Sequence, residues 1–460
     1  MKMGRFTLGM FVATAALALE PAWAGEDLLS VWRAAQTHDP AFAAARAEWD
    51  AGQTKERQGR ALFRPNVALT GSVAYLNSDR DTRGAQFSAP GFGSANDAQF
   101  RSKINDGQAT NVGVLARQPL YNASLNAEQS QLERQAQLAE VRFRNARQEL
   151  VLRTAQAYFA LLLSADTLAT LQAQKKAAQS ARDAASERFE AGATPVTDRD
   201  EARARFDEIA TQELLARNDL QLKRAALSDL SGTSSDRIQP LDPKAPLERF
   251  GVGALTEWSE RAARKNPLIA MQELGREIAR DEVAKQRALI APSLDLVAQY
   301  SDDRMRGASG FGTSRITATT GTVGLQLSIP LYSGGMRSAK RDEAVALAEK
   351  ARYDVEALRQ EILRQTNAAW LDVSTGMEQV RAREQNLQSA RSRLNATETG
   401  QEVGARTMLD LVNAQADFYR AQLGLAQAKY QFLLGRLRLA AVAGELSENE
   451  LQSVNTVLAK

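Results

Sequence analysis

His38 is the only histidine in the 460-residue chain, and there is no cysteine. Imidazole and thiolate are the groups that most readily move protons, attack carbonyls or hold transition metals near neutral pH. No cluster of carboxylates surrounds His38, so it reads as a solvated side chain. Gly91 and Gly93 do not lead from a strand into a helix, so they form no phosphate cradle. No stretch has metal-ligand spacing. The residues therefore argue against an enzyme and imply no cofactor. Lacking cysteine, the chain is expected to carry neither disulfides nor a lipid anchor on an N-terminal Cys. With 58 basic and 55 acidic residues the surface is mixed and near neutral, so no nucleic-acid partner is expected.

Two other groups of residues invite a role. The first sits at two helix breaks. Gly192 is followed by Thr194 as a candidate N-cap and Pro195 at the first helical position. Gly404 is followed by Thr407, with Asp410 three residues on, a capping box with Asp in place of Glu. The second group is Tyr75 and Tyr300 at one end of alternating segments, and Tyr121 and Tyr332 at the other. Tyrosine so placed suits the boundary between hydrocarbon and water.

The elements that hold these residues occur twice. Asp39-Pro40 answers to Asn266-Pro267, and Pro65 to Pro292, at an offset of 227. Pro119-Leu120-Tyr121 matches Pro330-Leu331-Tyr332 at 211. The offset then settles at 212, pairing Glu149 with Glu361, Gly192 with Gly404, Ala202 with Ala414, Phe206 with Phe418 and Gly232 with Gly444. The first copy, residues 25–232, is expected to hold a helix, strands at about 66–76 and 109–118, a long helix at about 123–190 and a helix at about 195–231. A linker follows at 233–254. The second copy, 255–444, repeats the order with strands at about 293–300 and 322–329 and helices at about 334–401 and 407–443, leaving a tail at 445–460. One unbroken helix is expected over Glu26–Phe63, and polar loops over 77–108 and 301–321.

Strand assignments rest on alternation. Val67, Leu69, Val73 and Tyr75 alternate with small or polar residues, as do Val323, Leu325, Leu327 and Ile329, while Leu294, Leu296, Ala298 and Tyr300 alternate with Ser293, Asp295, Val297 and Gln299. About 9–12 residues is the length a tilted strand needs to cross a bilayer. Each long helix would be a rod roughly 100 Å long. Leu132, Ala136, Ala139, Phe143, Ala146 and Leu150 form a seam with a 3.5-residue period, and their counterparts 212 residues on repeat it. That period means coiled-coil packing, and alanine within it lets helices approach closely. Four strands leave open edges, which lipid does not tolerate, so more than one chain must close the wall. Residues 1–24 read as a secretory signal: Lys2 and Arg5, an apolar run, then Ala22-Trp23-Ala24.

The duplicated Pro-led strands, Gln-Pro-Leu-Tyr (118–121) with Ile-Pro-Leu-Tyr (329–332), and the turn motifs around Gly192 and Gly404 resemble the TolC family of outer-membrane efflux and type I secretion channels. The resemblance spans essentially the whole chain after the signal. It implies a mixed α and β fold: a homotrimer with a 12-stranded outer-membrane β-barrel, four strands per chain, continuous with a long coiled-coil α-helical tunnel through the periplasm. It implies outer-membrane lipid, a periplasmic adaptor (membrane fusion) protein and an inner-membrane ABC or proton-driven pump as partners. The turns at Gly192, Thr194, Gly404 and Thr407 become the tips that dock the adaptor. Arg406 becomes the basic partner of Thr197 or Asp198 in a periplasmic gate, and Asp410 an acidic ring. Two positions depart from the family pattern. Asn413 stands where a second acidic ring would be, and Gln401 where a tyrosine would face Asp198. A less negative entrance is expected. The rival reading, a periplasmic coiled-coil adaptor, accounts for the signal and long helices but not for four bilayer-length strands.

Overall fold

The structure, a computed structural model, describes residues 26–234, 237–309 and 312–459. The secretory signal at 1–24 lies outside the described residues. Helices α1 (Leu28–His38) and α2 (Pro40–Ala61) precede strands β1 (Asn66–Ala89) and β2 (Gly93–Asn122). Then come α3 (Ala123–Glu190) and α4 (Val196–Ser231), a 3-10 turn at Leu247–Phe250, and α5 (Leu255–Lys265) with α6 (Pro267–Ala288). The second half continues with β3 (Ser293–Ser309), β4 (Gly312–Ser328), α7 (Met336–Glu402), α8 (Met408–Val442) and α9 (Glu448–Asn455).

The single helix expected over Glu26–Phe63 is two helices. Proline bars the preceding residue from helical backbone angles, so the chain breaks at Asp39, whose ψ is 117°. The freed carboxylate of Asp39 then accepts from the Phe42 N–H at 3.0 Å and the Arg153 guanidinium at 2.5 Å. Asn266 ends α5 in the same way, and its side chain donates to the Val442 carbonyl at 2.7 Å. His38, the last residue of α1, is exposed.

The chain forms two compact units that do not follow the two sequence copies; each unit draws on both. One unit takes Ala45–Asn145 and Pro267–Glu361, and holds the sheet. Its four strands run antiparallel in the order β1-β2-β3-β4. The strands run past the expected ends, and most of the segments at 77–108 and 301–321 are hairpin rather than polar loop. Alternation fades there because both faces of the ribbon are polar, while backbone pairing persists. Cross-strand groups support it: Arg101 grips Asp79 with two nitrogens, at 2.8 and 3.1 Å. In the same unit α2 meets the seam of α3 closely. A β-carbon built on Gly52 would lie 2.1 Å from that of Ala139. Ala136 and Ala139 are buried, and Trp49 stacks on Phe143 at 5.3 Å between ring centres.

The other unit comprises Met1–Ala44, Ala146–Asn266 and Ile362–Lys460. Its core gathers Trp32 of α1, Tyr158 and Phe159 of α3, Leu227 of α4, Leu433 and Leu437 of α8 and Leu451 of α9. The buried Tyr158 hydroxyl needs a partner and donates to the Gln239 carbonyl at 2.8 Å. The segment after α8, expected only as a tail, folds back as α9 because Leu451, Val454 and Leu458 give it an apolar face to bury.

Candidate functional site

The sheet presents an apolar face that no described residue covers. Val67, Leu69, Val73 and Tyr75 of β1 and Val323, Leu325 and Leu327 of β4 are all more than 60% exposed. The register aligns Val67, Ala116, Ala298 and Val323 in one row and Leu69, Val114, Tyr300 and Gly321 in the next. A contiguous apolar patch of this kind marks a surface meant for lipid or another chain. Tyr75 and Tyr300 do not share a row: Tyr75 pairs with Gln108, while Tyr300 pairs through Val114 with Leu69. Strand tilt staggers hydrogen-bonded rows, which spacing along one strand cannot reveal. Tyr121 lies in β2 opposite Leu294, just beyond a bulge at Pro119. Tyr332 follows β4 and is 89% exposed.

The opposite face is polar. Asp295, only 2% exposed in its side chain, receives the Arg117 guanidinium at 2.6 Å. Sequence reasoning passed over this pair, because alternation marks both residues only as inward and polar.

The two helix breaks close the same way. After α3, the Ala193 N–H donates to the Arg188 carbonyl at 2.8 Å and the Gly192 N–H to that of Phe189 at 2.9 Å. After α7, the Ala405 N–H donates to the Gly400 carbonyl at 2.7 Å and the Gly404 N–H to that of Gln401 at 3.1 Å. This is the Schellman arrangement, which needs a left-handed residue, and Gly192 and Gly404 supply it with φ of 72° and 77°.

The following helix starts differ. Thr407 caps α8 as its sequence implies: its hydroxyl accepts from the Asp410 N–H at 3.1 Å, and Asp410 Oδ2 accepts from the Thr407 N–H at 3.0 Å. Asp410 Oδ1 has no partner among the described residues, so one oxygen completes the cap and the other stays available. The Thr407 N–H and hydroxyl, aided by the charges of Arg406 and Arg393, hold the carboxyl below the ordinary aspartate range. At α4 the cap is Pro195 rather than Thr194, because Pro195 takes the extended ψ of 159° and helix begins at Val196. The Thr194 hydroxyl is buried and has no partner among the described residues.

Asp198 and Asn413 line one cleft of about 610 Å³ between the starts of α4 and α8. Arg393 and Arg420 converge there on Asp417, at 2.8 and 3.0 Å. Among the described residues, no hydrogen bond or ion pair joins Arg406 to Thr197 or Asp198. Arg406 instead folds over Gly400, where an added β-carbon would meet its Cγ at 2.7 Å. Gln401 faces Arg188: with the amide oxygen toward the guanidinium, it accepts at 2.6 and 3.1 Å. Arg188 was not foreseen. Its one sequence signal is that its counterpart 212 residues on is Gly400, a break in the duplication.

A sheet with an unpartnered apolar face and open edges, on a chain dominated by helices of 68 and 67 residues, defines the subunit of a membrane duct. Residues 31–233 and 258–445 match the family described as outer membrane efflux protein, and the chain belongs to it. It is 28% identical over 455 residues to the outer membrane protein TolC of Vibrio cholerae, covering 98% of each chain. It is 30% identical to the alkaline protease secretion protein AprF of Pseudomonas aeruginosa, covering 99% of this chain and 92% of that one. The crystal structure of the outer membrane protein VceC from Vibrio cholerae shares the fold, with a TM-score of 0.69 and 18% identity over 91% of this chain and 97% of that one. The chain is thus an outer-membrane exit duct with a periplasmic helical part, in a family of channels rather than enzymes.

Proposed function

We propose that three copies close a twelve-stranded barrel, β4 of each pairing with β1 of the next, and that outer-membrane lipid covers the apolar face. The observation that carries this reading is the open, four-stranded antiparallel sheet whose two edge strands are β1 and β4. Membrane barrels of bacterial type use eight strands or more, so four strands need company. Three copies agree with the resemblance to TolC. Within each copy, 25–232 and 255–444 serve as the two structural repeats, joined by the linker at 233–254 and ended by the tail at 445–460.

The turns at Gly192, Thr194, Gly404 and Thr407 are the periplasmic end that meets an adaptor, with an inner-membrane ABC or proton-driven pump behind it. Asp410 then contributes three carboxylates to the entrance, one from each copy, while Asn413 adds no charge beside them. Arg406, Thr197, Asp198 and Gln401 border that constriction. Relatives named for protease secretion support type I secretion as one use of the duct.

The test is direct. Unheated outer-membrane extract should run as a heat-sensitive trimer on gels, and the purified protein should form cation-selective channels in planar bilayers. Asp410→Ala should reduce that selectivity and any block by multivalent cations added from the periplasmic side. A soluble monomer would overturn the reading.

A further inference from the structure

In a chain built from two copies of one unit, equal turns would be expected at both helix breaks. They differ where it matters. Arg188 in the last turn of α3 has Gly400 as its counterpart, and Phe189 has Gln401. Arginine suits the carbonyl end of α3, where the helix dipole favours a cation. The absence of a side chain at Gly400 leaves room for Arg406 to lie across α7, which withdraws Arg406 from the other turn. Nη1 and Nη2 of the Arg188 guanidinium reach the Gln401 amide oxygen, at 2.6 and 3.1 Å. Arginine has donors only, so the amide must present its oxygen. This is the one side-chain bond among the described residues that joins the end of α3 to the end of α7.

We infer that Arg188 and Gln401 form the link that holds the two helix ends together, and that its release lets the ends of α3 and α7 part. The inference rests on the duct proposed above, with the constriction at these turns acting as its gate. The link pairs a charged guanidinium with a neutral amide. Arg188 is solvent-exposed, so one link is weak, and threefold repetition is what makes it matter.

Single-channel recording of the full-length protein in planar bilayers tests this with Arg188→Ala, Gln401→Ala and the double variant. Open-state occupancy should rise roughly tenfold in each single variant, the factor that about 1.4 kcal/mol represents. The double variant should rise no further, because both changes remove one bond. Gln401→Glu should lower occupancy, since a carboxylate holds arginine more strongly than an amide. Heat-sensitive trimers on gels confirm that each variant folds. Wild-type occupancy in both single variants, with trimers intact, overturns the link, as does an additive double variant. If Arg406→Ser with Asp198→Ala opens the pore while Arg188→Ala does not, the gate stands and this link falls. If the wild-type trimer forms no channels, the gated-duct reading falls and the inference with it.

Discussion

The guanidinium of Arg117 on β2 meets the carboxylate of Asp295 on β3 at 2.6 Å, across 178 residues of sequence. β2 and β3 come from different copies, and no short turn sets their register. A charged pair on the inward face, with Asp295 almost fully covered, resists a slip that would turn Leu294 and Leu296 inward. Asp295→Ala should therefore lower the protein's unfolding temperature, with a cost of about 1.5–3 kcal/mol per chain. Arg117→Ala should cost at least as much, because it leaves the covered Asp295 carboxylate without its cation, whereas Asp295→Ala leaves an exposed arginine that water can solvate.

On the proposed function, the capping box sets how the Asp410 carboxylate at the entrance responds to pH. The folded value of Asp410 lies below the unfolded one, so its stabilising effect is complete above the unfolded value. It is lost only as pH falls through the lower, folded value. Cation selectivity should accordingly persist at pH values where a free aspartate begins to protonate. Thr407→Val removes the hydroxyl that donates to Asp410 at 2.9 Å and should move the loss of selectivity to higher pH. Reversal potentials measured across a pH series would show the shift.

Gly232 and Gly444 are counterparts that end α4 and α8, with φ of 71° and 73°. An alanine β-carbon at Gly232 would meet the His38 ring at 2.6 Å, whereas at Gly444 it would meet the Lys265 carbonyl oxygen at 2.2 Å. A side-chain ring on an exposed residue can swing aside and backbone cannot. Gly444→Ala should destabilise more than Gly232→Ala, with at least about 1 kcal/mol expected for either from the backbone strain alone. Urea titration of the purified protein would rank the two.

Gly400→Ala should push Arg406 off α7, because the added carbon would lie 2.7 Å from Arg406 Cγ. If Arg406 then reaches toward Asp198, the entrance should tighten, read as lower single-channel conductance than wild type.

Much of the architecture was legible along the chain. Periodicity names the helices, because a buried seam must recur every 3.5 residues whichever helix lies opposite, and Ala136, Ala139 and Leu150 are indeed buried. The duplication names the two breaks, and the capping box at Thr407 and Asp410 is local enough to be read from four residues. Alternation finds the strands only where one face meets an apolar medium, so Val67 to Tyr75 were visible. The ribbon beyond them was not, since its polar faces carry no period. Tertiary structure alone decided which long side chains meet: Arg117 with Asp295, Arg393 with Asp417, Arg188 with Gln401. Two of these bonds join segments far apart in sequence and the third spans the turn between α7 and α8, and an arginine's reach leaves several acceptors open until the backbone positions of both helices or strands are set. Arg406 shows the limit. Its type and place suited a partner on the other turn, and the missing side chain at Gly400 drew it elsewhere.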